Sequence, residues 1–328
     1  MRVPERLDAF MARANAAYYA THDPFADFTT APEILQVFGE LLGAWAAIVW
    51  AQFGRPTKVI LAEAGPGRGT LMADALRLAA RVAPDFHHAA RVHLIETSAR
   101  LRAVQARALP TARWHDRLAD LPPGPIILLA NEFLDALPVR QFQHTAQGWA
   151  ERHVADGGFV LLPADQPATA PPGAAIGSVF ETQPAARDFV ATAASRIASQ
   201  GGAAIILDYG RAESGPGDSL QALRAGRPAD PLAAPGETDL TVHVDFQAMA
   251  REARAAGATA WGPIPQGSFL GALGLGPRVQ KLAAANPSRA TALLDAAQRL
   301  AAPGRMGHLF KALAITQEGA PPPPGFET

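Results

Sequence analysis

The chain contains no cysteine. That absence excludes disulfides, thiolate zinc sites, iron–sulfur clusters and a cysteine nucleophile together, and it fits a reducing compartment. No run approaches the roughly 18 consecutive apolar residues of a membrane span. The opening Met1-Arg2-Val3-Pro4-Glu5-Arg6 lacks the basic-then-apolar pattern of a signal peptide, so a cytoplasmic location is expected. Charge is sparse as well. Only 18% of residues are charged, the net charge is -1, and no basic stripe or lysine block occurs, so the electrostatic footprint of a nucleic-acid partner is missing. The nine histidines form no His-x-x-x-His or similar spacing, and no metal site is expected.

What is present is enough apolar material for a sizeable interior, 48% of 328 residues. That length is long for a minimal domain and suits one α/β core carrying insertions. No internal repeat is visible. Residues 5–20 are alanine-rich with helical spacing, and Asp27-Phe28-Thr29-Thr30-Ala31-Pro32-Glu33 reads as a helix start, with the helix continuing over 34–53. Lys58-Val59-Ile60-Leu61-Ala62-Glu63 and Val92-His93-Leu94-Ile95-Glu96 read as buried parallel strands, each ending on an acid. Helices follow them over 71–82 and 98–108. A weaker strand over 112–115 and a strong one over 126–130 complete an alternation that predicts a doubly wound, Rossmann-like α/β sheet.

Beyond Leu137-Pro138 the pattern changes to short alternating segments broken at Ala146-Gln147-Gly148 and Asp156-Gly157-Gly158, which predicts a β-meander over 139–162. A mobile loop is expected over 163–177, a helix over 184–199, a fifth strand over 203–208 and a long loop over 210–236. A short strand is expected over 258–261, a closing edge strand over 306–316, and a loose tail at Pro321-Pro322-Pro323-Pro324. The expected division is an N-terminal helical region (1–55), a core (56–138 and 201–328), and a meander insertion with its connecting helix (139–200).

Gly65, Gly67 and Gly69 at the end of the first strand let backbone approach a ligand closely, with a helix N-terminus behind it. Thr70 stands where a dinucleotide fingerprint needs its third glycine, and the Gly-Lys-Ser/Thr of a phosphate loop is absent. Glu63 can accept a hydrogen bond from a ligand ammonium and Glu96 two from ribose hydroxyls, a pairing that matches an adenosyl amino acid such as S-adenosylmethionine. A tight structural turn and a solvated strand end are the plainer alternatives.

Several runs carry a family resemblance: Tyr18-Tyr19, residues 27–33, Phe38-Gly39-Glu40, residues 63–70, residues 131–138, Asp208-Tyr209-Gly210, residues 239–246 and residues 306–311. Together they resemble the MidA family, which includes the mitochondrial complex I assembly methyltransferase and bacterial relatives, and the likeness extends over nearly the whole chain. The resemblance implies a class I S-adenosylmethionine-dependent methyltransferase and, by the mitochondrial member, symmetric dimethylation of an arginine on a complex I subunit. Two departures stand out. The family has a longer, glycine-containing stretch where Asp23-Pro24-Phe25-Ala26 runs straight into Asp27, and Ala225-Gly226-Arg227-Pro228 lacks the family's histidine and phenylalanine.

Asn131-Glu132 ends the fourth strand, where this fold presents groups to the transferring methyl. Glu132 can bind a planar guanidinium bidentately, a role glutamates fill in other arginine methyltransferases by analogy. Asp135 is either a second acid or a helix cap. Tyr209 is either a substrate contact or a half-buried structural tyrosine. Thr30, Pro32 and Glu33 either close over the cofactor's carboxylate or cap a helix, and Asp116 either meets the adenine amino group or is a solvated loop acid. Asn131 joins the cofactor set. His115 and His243 are cleft candidates or structural histidines. The expected partner is a protein substrate, and a homodimer is left open. The alternative functions are a cofactor-binding assembly factor for a respiratory complex and a small-molecule methyltransferase.

Overall fold

The computed structural model describes residues 3–22, 29–167, 170–224 and 226–327. In chain order, β1 (Glu5–Arg6) and α1 (Leu7–Thr21) precede α2 (Ala31–Ile34) and α3 (Gln36–Gln52). Then come β2 (Val59–Ala64), α4 (Thr70–Val82), α5 (Pro84–Ala89), β3 (Ala90–Ile95), α6 (Ala99–Ala108), β4 (Arg113–His115) and β5 (Ile126–Asn131). A meander of β6 (Arg140–Thr145), β7 (Gly148–Ala155) and β8 (Gly158–Pro163) leads to β9 (Val179–Thr182) and α7 (Pro184–Gln200). β10 (Gly202–Arg211) is followed by β11 (Gln221–Arg224), β12 (Arg227–Ala229), β13 (Asp239–Thr241) and β14 (Val244–Asp245). The chain closes with α8 (Phe246–Ala255), β15 (Ala258–Pro265), α9 (Gln266–Ala272), α10 (Leu275–Ala285), α11 (Ala290–Ala301), α12 (Met306–Leu309) and β16 (Phe310–Gln317).

The main sheet runs in the order β15-β16-β10-β5-β2-β3-β4, with β14 pairing β10. β10, β5, β2, β3 and β4 are mutually parallel, and β16 is antiparallel to both its neighbours. Every residue of β2 and β5 is buried, as unbroken apolar runs covered on both faces require. One face packs on α3, α4 and α9–α11 through Phe38, Leu42, Trp45, Leu71, Phe269 and Val279. The other packs on α7 and α8 through Val190, Ile197, Phe246 and Met249. α3 lies close on α4 because Gly39 and Gly43 carry no Cβ; one built on Gly43 would stand 2.7 Å from Ala75 Cα. Chain order reverses between β2 and β5, and at such a point the strand ends part to leave a crevice at their carboxyl ends.

The doubly wound sheet and the meander with its two turns stand as expected. Four expectations change. Residues 210–236 are not one loop, because β11, β12 and β13 form a separate three-stranded sheet. α1 holds that sheet by Asn15, which donates to Leu240 O (2.8 Å) and accepts from Leu240 N–H (3.1 Å). β16 is not an edge strand, since β15 pairs outside it, and residues 306–309 are helical. The expected helix over 34–53 breaks at Leu35, whose extended backbone separates α2 from α3. The proline tail is packed, with Phe326 buried against Phe269 at 5.5 Å between ring centroids. Asp27 and Phe28 of the expected helix start, the departure at 23–26, and Ala225 lie outside the described residues. Among the described residues no helix is long and apolar enough to cross a membrane.

Candidate active site

The carboxyl ends of β2, β3 and β5 open on a cavity of about 740 Å³. The loop leaving β2 turns through Gly65 (φ +62°), Gly67 (φ +54°) and Gly69 (φ +81°), conformations that L side chains rarely adopt. A Cβ on Gly65 would also stand 2.8 Å from the Phe133 ring. Glu63 lines this cavity and is 3% exposed, and its Oε2 receives no hydrogen bond from any described residue. Burial pushes its carboxyl up to about 8, against the opposing effect of the Met72 N–H. Glu96 accepts from Ser98 N–H at Oε1 (2.8 Å) and from Gln105 Nε2 at Oε2 (3.3 Å). Its carboxyl is raised by burial. Asn131 Oδ1, also at the cavity, has no partner among the described residues.

The N-terminal segment covers one side. Thr30 and Pro32 line the cavity, and Thr30 precedes α2 without a side-chain cap bond, so the cap alternative is not what its hydroxyl does. Glu33 Oε1 accepts the Thr70 hydroxyl at 2.5 Å, tying α2 to the start of α4. Asp116 lines the cavity while paired to Arg102 at 2.6 Å, its side chain 71% exposed. Gly69 does not line the cavity. It turns the chain into α4 in the left-handed conformation, against Leu109.

A second cavity of about 270 Å³ adjoins, and Tyr19 and Glu132 line both. Glu132 holds a left-handed backbone, φ +50°, a conformation that costs a non-glycine residue about 1 kcal/mol or more. Its Oε1 accepts from Ala31 N–H (2.9 Å) and Asn131 Nδ2 (3.0 Å), and burial raises its carboxyl. Beneath it, fully buried Asp208 gathers the loop: Oδ2 accepts the N–H groups of Phe133 (3.2 Å), Leu134 (2.9 Å) and Asp135 (3.1 Å). Burial and the nearby Glu132 push Asp208 up to about 8. Asp135 and Tyr209 line the second cavity and not the first. His243 stands there too, edge-on to Tyr209, whereas His115 lies on β4, 2.8 Å from His93 and outside both cavities.

The family model of S-adenosyl-L-methionine-dependent methyltransferases matches residues 41–264. The chain belongs to that methyltransferase family. It is 35% identical to the protein arginine methyltransferase NDUFAF7, mitochondrial, of Rattus norvegicus, across 95% of this chain and 80% of the relative. The Homo sapiens protein of the same name is 34% identical, with 95% and 79% covered. A Burkholderia thailandensis structure bound to S-adenosyl-homocysteine aligns at TM-score 0.79 and 26% identity, covering 99% of this chain and 89% of that one. As in the rest of the family, the cofactor of this methyltransferase is S-adenosylmethionine. The residues present fit it: a buried carboxylate oxygen without a partner suits an ammonium, and a second carboxylate on the neighbouring strand end suits paired hydroxyls.

Two residues of this arrangement escaped the sequence reading. Gln105, fully buried on α6, donates to Gly67 O (2.8 Å) and Glu96 while accepting the Trp114 indole N–H (2.8 Å), so it locks the glycine loop to the second strand end. Asp239, which accepts the Tyr19 hydroxyl at 2.7 Å, faces the second cavity from β13. A glutamine inside an amphipathic helix gives no local signal. Asp239 and Tyr19 stood in the runs that carried the family resemblance but had no assigned role.

Proposed function

We propose that this methyltransferase acts on arginine side chains of a protein, a complex I subunit being the expected type of substrate. The observation that carries this reading is the place of Glu132, whose carboxylate lies where the cofactor cavity meets a second, acid-lined cavity. The names of the relatives point the same way.

When bound, S-adenosylmethionine supplies an electrophilic methyl group on a sulfonium sulfur. The chain's own residues hold and align the reactants, an effect that can lower the barrier by several kcal/mol. Glu63 would hold the ammonium end and Glu96 the ribose hydroxyls, with Gly65 and Gly67 giving close backbone approach. Thr30 and Pro32 would close over the methionyl end and Asp116 would reach the adenine. Asn131 braces Glu132 through the bond at 3.0 Å. Glu132 would bind the guanidinium and turn one nitrogen towards the methyl. The cysteine-free composition suits a reducing compartment, and we place the reaction in the cytoplasm, although the curated relatives bear the word mitochondrial in their names.

The test supplies S-adenosylmethionine labelled at the methyl group, together with protein extract, and locates the label by mass spectrometry. Label on arginine is expected, and Glu132→Gln should lower kcat about 100-fold or more while retaining S-adenosylhomocysteine binding. Label confined to another residue type, or a Glu132→Gln enzyme as fast as the wild type, overturns the reading.

A further inference from the structure

The helices α9–α12 bring positive charge to the rim of the second cavity. The last turn of α11 bears Arg299, and the chain then reverses tightly into α12, with the N–H groups of Arg305 (3.0 Å) and Gly307 (3.2 Å) both on Ala302 O. α12 lies against the end of α11 because Gly307 has no side chain; a Cβ there would stand 2.0 Å from Ala301 O. Leu309, the last residue of α12, is 45% exposed and lines the cavity together with Glu132 and Phe310. Arg299 and Arg305 flank this junction and are exposed. Neither side chain has an ion-pair or hydrogen-bond partner among the described residues. The one acid in residues 266–309, Asp295, stands a turn before Arg299 and forms no ion pair with it.

This charge bears on Glu132. Burial raises the Glu132 carboxyl, while the Ala31 N–H, the Asn131 amide and the Arg299 charge oppose the rise, so Arg299 stands within electrostatic reach of that carboxylate. A guanidinium arriving at Glu132 therefore meets a like charge, and no described acid pairs with Arg299 to cancel it. A carboxylate carried by the same partner would. Resting on the reading that the acceptor is arginine, we propose that Arg299 and Arg305 form a docking site for acidic residues flanking the acceptor in the protein substrate. The chemistry of the pair favours this occupant. Guanidinium forks match carboxylates bidentately, whereas anionic membrane surfaces are met by larger clusters of lysine and arginine. Charge at the rim of an interface steers encounter and sets partner choice more than it adds affinity, so the site selects among the arginines of a partner.

The experiment measures, by calorimetry at low salt, binding of acetyl-Glu-Gly-Glu-Gly-Arg-Gly-Glu-Gly-Glu-amide and its glutamine counterpart to the full chain saturated with S-adenosylhomocysteine. The glutamate peptide is expected to bind about fivefold or more tightly than the glutamine one, and the two should converge at high salt. Arg299→Glu with Arg305→Glu should abolish the preference, with the affinity for S-adenosylhomocysteine unchanged, and Arg299→Lys should keep most of it. Arg289→Glu, an exposed position just before the other end of α11, makes the same change in charge as Arg299→Glu and should leave the preference in place. No measurable binding of the glutamate peptide, equal binding of the two, or a preference lost as fully in Arg289→Glu as in Arg299→Glu overturns the docking site. Peptides that bind alike, with vesicles of equal parts phosphatidylcholine and phosphatidylglycerol sedimenting the wild type but not Arg299→Glu, overturn it in favour of a membrane surface. If arginine is labelled in the preceding test and the peptides bind alike, only the docking site falls. If the glutamate peptide is preferred but label never appears on arginine, the acceptor reading falls and the acid-binding surface stands.

Discussion

Lowering the pH from 8 to 6 should weaken S-adenosylhomocysteine binding about fiftyfold, through Glu63. Burial holds that carboxyl at about 8, so at pH 6 the free protein carries a proton there, whereas the ligand's ammonium is best met by the carboxylate. Removing the proton costs about 1.4 kcal/mol per pH unit, or about 3 kcal/mol at pH 6. Above pH 8 the Glu63 carboxyl is largely ionised, and affinity should level off until the ligand's own ammonium begins to lose its proton. Calorimetry in two buffers of different ionisation enthalpy reads both quantities, the dissociation constant and the protons released, and about one proton per ligand is expected at pH 6. Glu63→Gln keeps an acceptor oxygen but holds no titrating proton. It should bind about tenfold or more weakly at pH 8 and lose the pH dependence between 6 and 8. A wild-type dissociation constant that is the same at both pH values, with no proton release, would refute the assignment of Glu63 to the ammonium.

Two further substitutions test the frame around the site. Asp208→Ala strips the shared acceptor from the N–H groups of Phe133, Leu134 and Asp135; urea unfolding should show a loss of about 3 kcal/mol or more, and kcat should fall more than cofactor affinity as the Glu132 turn loosens. Gly43→Ala gains helix propensity of about 1 kcal/mol but drives a methyl to 2.7 Å from Ala75 Cα and O, and overpacking of that kind costs about 1–3 kcal/mol. The melting temperature should therefore fall, and a rise would show that α3 and α4 separate freely.

Much of the fold is legible because fully buried parallel strands leave a plain trace. β2 and β5 are fully buried runs and β3 is buried over its second half, and the polar residues at or just beyond their ends, Glu63, Glu96 and Asn131, mark the carboxyl edge where the larger cavity opens. The meander is legible for a different reason: Gly148 (φ +112°) and Gly157 (φ +78°) stand at turns that need left-handed backbone. The order of strands is not written locally, so β16 could be read as a strand without revealing that β15 flanks it. β12, with Arg227-Pro228-Ala229, has no strand pattern, and its sheet is held instead by partners such as Asn15, more than 200 residues from Leu240 (|i−j| = 225). The tail reads as loose from its prolines, yet Phe326 anchors it. Gly69 belongs to the glycine run but faces Leu109 and serves the turn. The second cavity draws on Tyr19, Glu132, Tyr209, Asp239 and Phe310, five separate segments, and no motif could announce it.

In the proposed reaction, methyl donor and arginine meet at Glu132. A crystal structure of the chain with S-adenosylhomocysteine and an arginine peptide tests it most directly. The sulfur is expected in the 740 Å³ cavity and the guanidinium in the 270 Å³ cavity, with one guanidinium nitrogen on the Glu132 carboxylate and pointing at the sulfur. A guanidinium bound elsewhere, with Glu132 still holding only Ala31 and Asn131, would contradict it.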